Sequence, residues 1–129
     1  MHKSDHHILL EEKRAWYKTI GKVYCPCLKA YVIFNSKGFY HLRYGSDKKE
    51  RSIEEQVKRL QFLSHVPNII KSANCVYEHR SDGEGSKEYW AFQENLFAKK
   101  VRVVLMRTGS GNVIFLSVME KTNKKTVTD

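Results

Sequence analysis

No apolar run in these 129 residues approaches the roughly 18 that a membrane-spanning helix needs. The start of the chain, Met1-His2-Lys3-Ser4-Asp5-His6-His7, lacks the continuous apolar stretch of a secretory signal. Two prolines and seven glycines are too few and too scattered for a linker, so a single domain over 1–129 is predicted. Cysteine is scarce and odd in number: there are three, whereas a secreted disulfide framework is normally even. Cys25-Pro26-Cys27 is too tight for an easy disulfide. A zinc site needs about four ligands at recognisable spacing, and Cys75 with scattered histidines supplies no second pair. The expectation is free, partly buried thiols in a reducing, cytoplasmic compartment, with no metal or other cofactor. His2, His6 and His7 read as the solvated start of a helix.

Acidic residues also run short. There are 14 Asp and Glu against 23 Lys and Arg, a formal net charge of +9. With 12% aromatic residues, that balance suits a polyanionic partner: nucleic acid first, an anionic membrane surface second, against the plainer reading of a soluble domain with a basic surface. The hydrophobic fraction of 41% is enough to bury a core and argues against disorder. The chain has no Gly-x-x-x-x-Gly-Lys phosphate loop, no dinucleotide-binding glycine fingerprint and no Gly-x-Ser-x-Gly elbow. Nor does it carry an Asp…Glu-x-Lys triad or a clustered carboxylate set. Nucleotide-dependent chemistry, serine hydrolysis and metal-dependent nuclease chemistry all lose ground.

The elements that are present follow from periodicity and punctuation. Residues 4–20 predict a helix capped by Ser4 or Asp5 and ended by Gly21, burying Ile8, Leu9, Trp16 and Ile20. Residues 28–34 alternate, 35–38 read as a turn and 39–44 as a second strand, making a hairpin. Phe39, His41 and Arg43 then share one strand face and Tyr40, Leu42 and Tyr44 the other. A loop from 45 to 51 carries Lys48, Lys49 and Arg51. Ser52-Ile53-Glu54-Glu55 is a capping box opening a helix with Val57, Leu60, Leu63 and Val66 on its stripe. Pro67 ends that helix or starts a short one through Ile69 and Ile70. Strands over 75–80, 88–93, 101–107 and 113–120 form a meander. Residues 122–129 are a polar tail that frays or trails along an anionic ligand. The class is therefore α+β, with N-terminal helices packed on one face of an antiparallel β-sheet and the other face open to a ligand.

Histidines, cations and tyrosines on strands are the equipment of metal-free RNA cleavage. RNA carries its own nucleophile, the 2′-hydroxyl. The protein supplies a base, an acid and fixed cations around the phosphate. His41 and Arg43 are the local candidates: a proton-transfer group and a phosphate clamp beside Phe39. His79 and Arg80 end a strand and face opposite ways, so at most one joins a given site. Lys99, Lys100 and Arg102 form a basic cluster, with Arg102 projecting onto an open sheet surface beside Val104 or simply solvated. Ser117 interrupts an apolar strand, where its hydroxyl is either bonded locally or aimed at a ligand, and Lys121 follows.

The order Phe39-Tyr40-His41-Leu42-Arg43-Tyr44, basic loop, helix 51–63, Val76-Tyr77-Glu78-His79-Arg80, Tyr89-Trp90-Ala91-Phe92, Arg102-Val103-Val104-Leu105 and Phe115-Leu116-Ser117-Val118-Met119-Glu120-Lys121 carries a resemblance. It resembles the phage- and toxin-associated nucleases of the barnase/EndoU/colicin/RelE-like (BECR) fold, over about residues 28–121. The resemblance implies a metal-independent endoribonuclease, of the kind found in toxin–antitoxin modules, that cleaves tRNA or mRNA, on or off the ribosome. It also implies an antitoxin or immunity protein as partner. By match, His41 would transfer the proton with Arg43 beside it. Arg51 would bind phosphate, Ser117 would position it with Lys121 nearby, and Arg102 would supply sheet-face charge. A non-catalytic RNA- or ribosome-binding module is the alternative. An interaction protein such as an antitoxin or phage adaptor is the third reading.

Overall fold

The computed structural model describes residues 3–74, 76–82 and 86–121. Among the described residues, four helices and six strands follow one another as α1 (Lys3–Lys18), β1 (Lys22–Cys25), β2 (Ala30–Ile33), α2 (Ser36–Arg43), α3 (Ile53–Leu63), α4 (Val66–Ser72), β3 (Glu78–Ser81), β4 (Lys87–Leu96), β5 (Lys99–Thr108) and β6 (Val113–Glu120). The strands make one sheet in the order β1-β2-β6-β5-β4-β3. The hairpin β1–β2 and the meander β3–β6 are each antiparallel. The two halves join through a parallel pairing of β2 with β6, so the sheet is mixed. A parallel pair needs a long crossover, and α2, α3 and α4 occupy it.

The class is α+β, as the residue pattern predicts, with the helices packed against the sheet. Alternation decides which face they cover. Val101, Val103 and Leu105 of β5, Phe92 of β4, Phe115 and Val118 of β6 and Val23 and Val32 of the hairpin point to one side and are fully or nearly fully buried. Leu10, Tyr17, Phe39, Leu42, Leu60, Leu63, Val66, Ile69 and Ile70 come down on them from the four helices in one cluster. Among the described residues, no helix is long and apolar enough to cross a membrane.

Several local expectations change. Residues 39–44 are not a strand: residues 36–43 form α2. Asn35 is its N-cap, accepting a hydrogen bond from Lys37 N at 3.1 Å, so the apparent turn residues start a helix. Gly38, Phe39 and Leu42 are its buried stripe. His41 and Arg43 therefore do not share a face, because two positions on a helix are about 200° apart. On α1 the buried residues are His6, Leu10 and Tyr17, while Ile8 and Trp16 stand in solvent and Leu9 and Ile20 are partly buried. His6 is thus not part of a solvated start; α1 lies across α3 and the ring is taken inside. In the capping box, Ser52 Oγ accepts from Glu55 N at 3.1 Å, but the Glu55 carboxylate bonds Arg59 instead of reaching back. Pro67 does start a short helix, at the first turn of α4. β3 begins at Glu78 rather than at 75; Cys75 and the tail 122–129 lie outside the described residues. Cys25 and Cys27 are free thiols, and burial pushes the Cys25 thiol up.

Candidate active site

The site is built where α2 and α3 lie over β6. Gly38 sets how close α2 comes. A Cβ at this position would lie 2.5 Å from the Phe115 ring, 2.6 Å from the Phe115 carbonyl and 2.7 Å from the Tyr17 hydroxyl. Only glycine allows that approach. Tyr17 Oη also donates to Asn35 O at 2.6 Å, pinning the helix start, and burial pushes its phenol up. Lys37 and His41 then sit one turn apart on the same flank of α2.

Arg51 closes the loop that follows. Its backbone N donates to Arg43 O at 2.8 Å, and its Nε donates to His41 O at 3.0 Å. Arg59, on the buried stripe of α3, is itself buried. Its Nε donates to Glu55 Oε2 at 2.7 Å and its Nη1 to Ser117 Oγ at 3.1 Å. Ser117 is buried as well, at a bulge where the β5–β6 register slips by one residue between Val104 and Leu105. The slip turns the hydroxyl to α3 in an otherwise apolar strand. The Ser117 side chain is bonded within the protein, to a charged group.

These groups act on one another. Burial lowers the His41 pKa first, and the positive charges of Lys37, Arg51 and Arg59 lower it further. Arg51 is itself pushed down by burial and by Arg59, against the opposing pull of Glu55 and Asp47. The imidazole is therefore neutral at pH 7 and able to accept a proton. Lys37, Arg51 and Arg59 all act on it, and of the two carboxylates that act on Arg51, Glu55 is held by Arg59 and Asp47 accepts from Lys49 N. Crowded like charges cost folding energy, which marks the cluster as a place prepared for an anion. Beside it, Tyr40 and Tyr44 stack at 4.6 Å between ring centroids, and Tyr40 meets the His41 ring edge-on at 5.9 Å. Tyr40 is well exposed, a surface on which a base can stack.

The other predicted site residues lie elsewhere. Arg43 pairs with Glu50 at 3.0 Å and packs on Tyr44. It belongs to a network in which His6 Nε2 meets Gln56 Oε1 at 2.7 Å and Gln56 Nε2 donates to Arg51 O at 2.8 Å and Glu50 Oε2 at 3.3 Å. Together these border a cavity of about 640 Å³. Arg102 bonds Gln93 and Glu78, and Arg80 packs over Tyr89, both on the sheet face away from the helices. Lys100 is on that face too, and exposed Lys121 donates its backbone N to Lys100 O. His79 stacks on Trp90 and pairs with Glu88 at 3.1 Å. Of the predicted set, Arg51 bonds the His41 carbonyl and Ser117 is linked to them through Arg59; Arg43 lines the neighbouring cavity with Arg51, and His79, Arg80, Lys100, Arg102 and Lys121 lie elsewhere.

Arg59 and Lys37 escaped the sequence reading. The signal for Arg59 was present: Gln56, Arg59, Leu60 and Leu63 form the buried stripe of α3, and two polar residues on such a stripe ask for partners. Lys37 lies in what reads as a turn until Asn35 is recognised as a cap. Among the described residues, no three His, Cys, Asp or Glu side chains gather as a metal-holding group. Comparison with protein-family models, with curated proteins and with solved structures finds no match to this chain.

Proposed function

We propose that the protein is a metal-independent endoribonuclease acting in the cytoplasm, of the toxin type that a partner protein restrains. One observation carries the reading: His41 stands one turn from Lys37 on α2, with Arg51 bonded to its carbonyl and the buried Arg59–Ser117 pair among the charges that act on it. His41 takes the proton of the ribose 2′-hydroxyl. The oxygen attacks the adjacent phosphorus and the bond from phosphorus to the 5′-oxygen breaks. The products are a 2′,3′-cyclic phosphate and a 5′-hydroxyl, whose proton comes from the Lys37 ammonium; the imidazolium then restores Lys37. Arg51 and Arg59 offset the charge that builds on the phosphoryl oxygens. Tyr40 and Tyr44 stack a flanking base. The net charge of +9 draws tRNA or mRNA to the surface.

Incubation with total RNA in EDTA, with and without ribosomes, tests this. The wild type should release 2′,3′-cyclic ends, and His41→Ala should lose about 10²–10⁴-fold in rate. Undiminished cleavage by His41→Ala overturns the site. Salt-sensitive RNA binding without any cleavage, ribosomes included, supports the non-catalytic RNA-binding module instead.

A further inference from the structure

We infer that the helix-free face of the sheet is a second RNA-contacting surface, which holds single-stranded nucleotides by tyrosine stacking and phosphate pairing. The inference rests on the reading that RNA is the partner, but not on cleavage.

The face is defined by the same alternation that defines the core. Val101 and Val103 point to the helices, so Lys100, Arg102 and Val104 point away. Register carries this across the sheet. Gln93 lies opposite Arg102, and Ala91 opposite Val104. Arg80 and Glu78 pair with Tyr89 and Ala91. On the far side Ile33 pairs with Ile114 and Lys22, and Tyr24 pairs with Tyr31.

Charge is sorted between the two faces. On the strands, Lys22, Arg80, Lys87, Lys100 and Arg102 fall on the bare face by register, where Glu78 is held by Arg102 at 3.3 Å and Glu94, of helix-side register, borders the depression beside Tyr77. The remaining strand carboxylates, Glu88, Glu94 and Glu120, fall on the helix side. The strand cations there are already paired: Arg107 with Glu88, and Lys99 with Glu120. The bare face therefore keeps an uncompensated positive charge that an acidic strand pattern elsewhere does not cancel.

Tyrosines are interleaved with these cations. Tyr24 and Tyr31 meet edge-on at 5.2 Å, both about half exposed, with Lys22 Nζ 4.6 Å from the Tyr31 ring centre. Arg80 lies 4.5 Å from the Tyr89 ring and Arg102 5.1 Å from that of Tyr77. Tyr77 is 58% exposed and walls a depression of about 250 Å³ with Gln93, Glu94, Asn95 and Lys100. An aromatic ring to stack a base, amide groups to meet its edge and an ammonium for the phosphate stand together there. Rings and cations alternating along an unpartnered strand surface match the alternation of bases and phosphates in a single strand.

The test is fluorescence anisotropy with a labelled 12-nucleotide 2′-O-methyl RNA, which cannot be cleaved by 2′-hydroxyl attack, at several salt concentrations. Tyr31→Ala and Tyr77→Ala should each weaken binding about tenfold. Lys22→Gln/Lys100→Gln should flatten the dependence of log affinity on log salt by about 1.4. These side chains are exposed, so the variants keep the wild-type melting temperature. Unchanged affinity in both tyrosine variants, an unchanged salt slope in the lysine variant, or no binding by the wild type overturns the inference. Loss of an acidic protein partner with RNA binding intact overturns it as well. Absence of cleavage with these binding losses present removes the nuclease reading and leaves this one standing.

Discussion

Arg59 and Ser117, 58 positions apart in the chain, are joined by a 3.1 Å hydrogen bond inside the protein, from the guanidinium of α3 to the hydroxyl of the last strand. The bond ties the crossover helices to the centre of the sheet and fixes one of the three cations that act on His41. Removing the hydroxyl leaves a buried charged donor without its acceptor. Ser117→Ala should cost about 1–3 kcal/mol, read as a lower urea midpoint at unchanged slope. A midpoint equal to wild type shows that Arg59 finds another acceptor.

The pH behaviour of His41 follows from the direction of its shift. Its pKa lies below the ordinary value of about 6.5, because of burial and then of Lys37, Arg51 and Arg59. The neutral ring therefore favours the folded state above about pH 6.5, and that contribution fades as pH falls through the lowered value. The acid limb of the cleavage rate should also lie below 6.5. Lys37 is exposed, so Lys37→Gln leaves the fold intact and removes one repelling charge. The His41 imidazole should then titrate at higher pH in an NMR titration. A downward movement, or none, means that Lys37 does not act on the ring.

Gly38→Ala tests the contact of α2 with β6. The added methyl would meet Phe115 ring and backbone and the Tyr17 hydroxyl at 2.5 to 2.7 Å. Backbone cannot move aside as a flexible side chain can. The expected loss is about 1–3 kcal/mol, measured by chemical denaturation. Gly21→Ala is a useful contrast: nothing lies within 4 Å of its added methyl, and its cost comes from a φ of 68° instead.

Gln56 organises the network beside the site. Its side chain bonds His6, Arg51 O and Glu50 at once, and it is almost fully buried. Gln56→Leu should cost about 2–4 kcal/mol, because His6 and the Arg51 carbonyl lose their partner together. The same variant should raise proteolysis in the 45–51 loop, where limited digestion and mass spectrometry can find it. Equal stability with an uncut loop rejects the network as its anchor.

Arg43 is the residue on which sequence and geometry part most. Its pair with Glu50 is half exposed, so Arg43→Ala should change stability by no more than about 1 kcal/mol. Cleavage should fall far less than in His41→Ala. Equal losses from the two variants place Arg43 in the reacting groups and redraw the site.

Much of the scaffold was legible because it is local. Alternation gave the β4–β5–β6 meander, with turn glycines only between β5 and β6 because Phe97 and Ala98 make the β4–β5 turn, and Ser52 gave the start of α3. α2 was not legible as a helix. Residues 39–44 alternate as a strand would, and only the side-chain bond of Asn35 to Lys37 N and the packing of Gly38 on Phe115 decide for eight helical residues. That one reversal moved Arg43 away from His41. The separation of Arg102 from His41 was equally hidden, since the parity of a strand fixes its faces but not which face a distant helix covers. Ser117 read as either a local bond or a ligand contact; the partner, Arg59, lies in a helix whose docking no local pattern reveals.

The position of β6 carries a consequence for biosynthesis. This strand follows every other described element in the chain, yet it lies third in the sheet, between the hairpin and the rest of the meander. A nascent chain that has emerged only as far as the turn at 109–112 has its two sheet halves unjoined and no hydroxyl to receive Arg59. The Arg59–Ser117 bond and the joining of the two sheet halves therefore form only after β6 has been synthesised. Until β6 pairs with β2, the Arg59 guanidinium lacks the Ser117 acceptor that holds it in the folded protein.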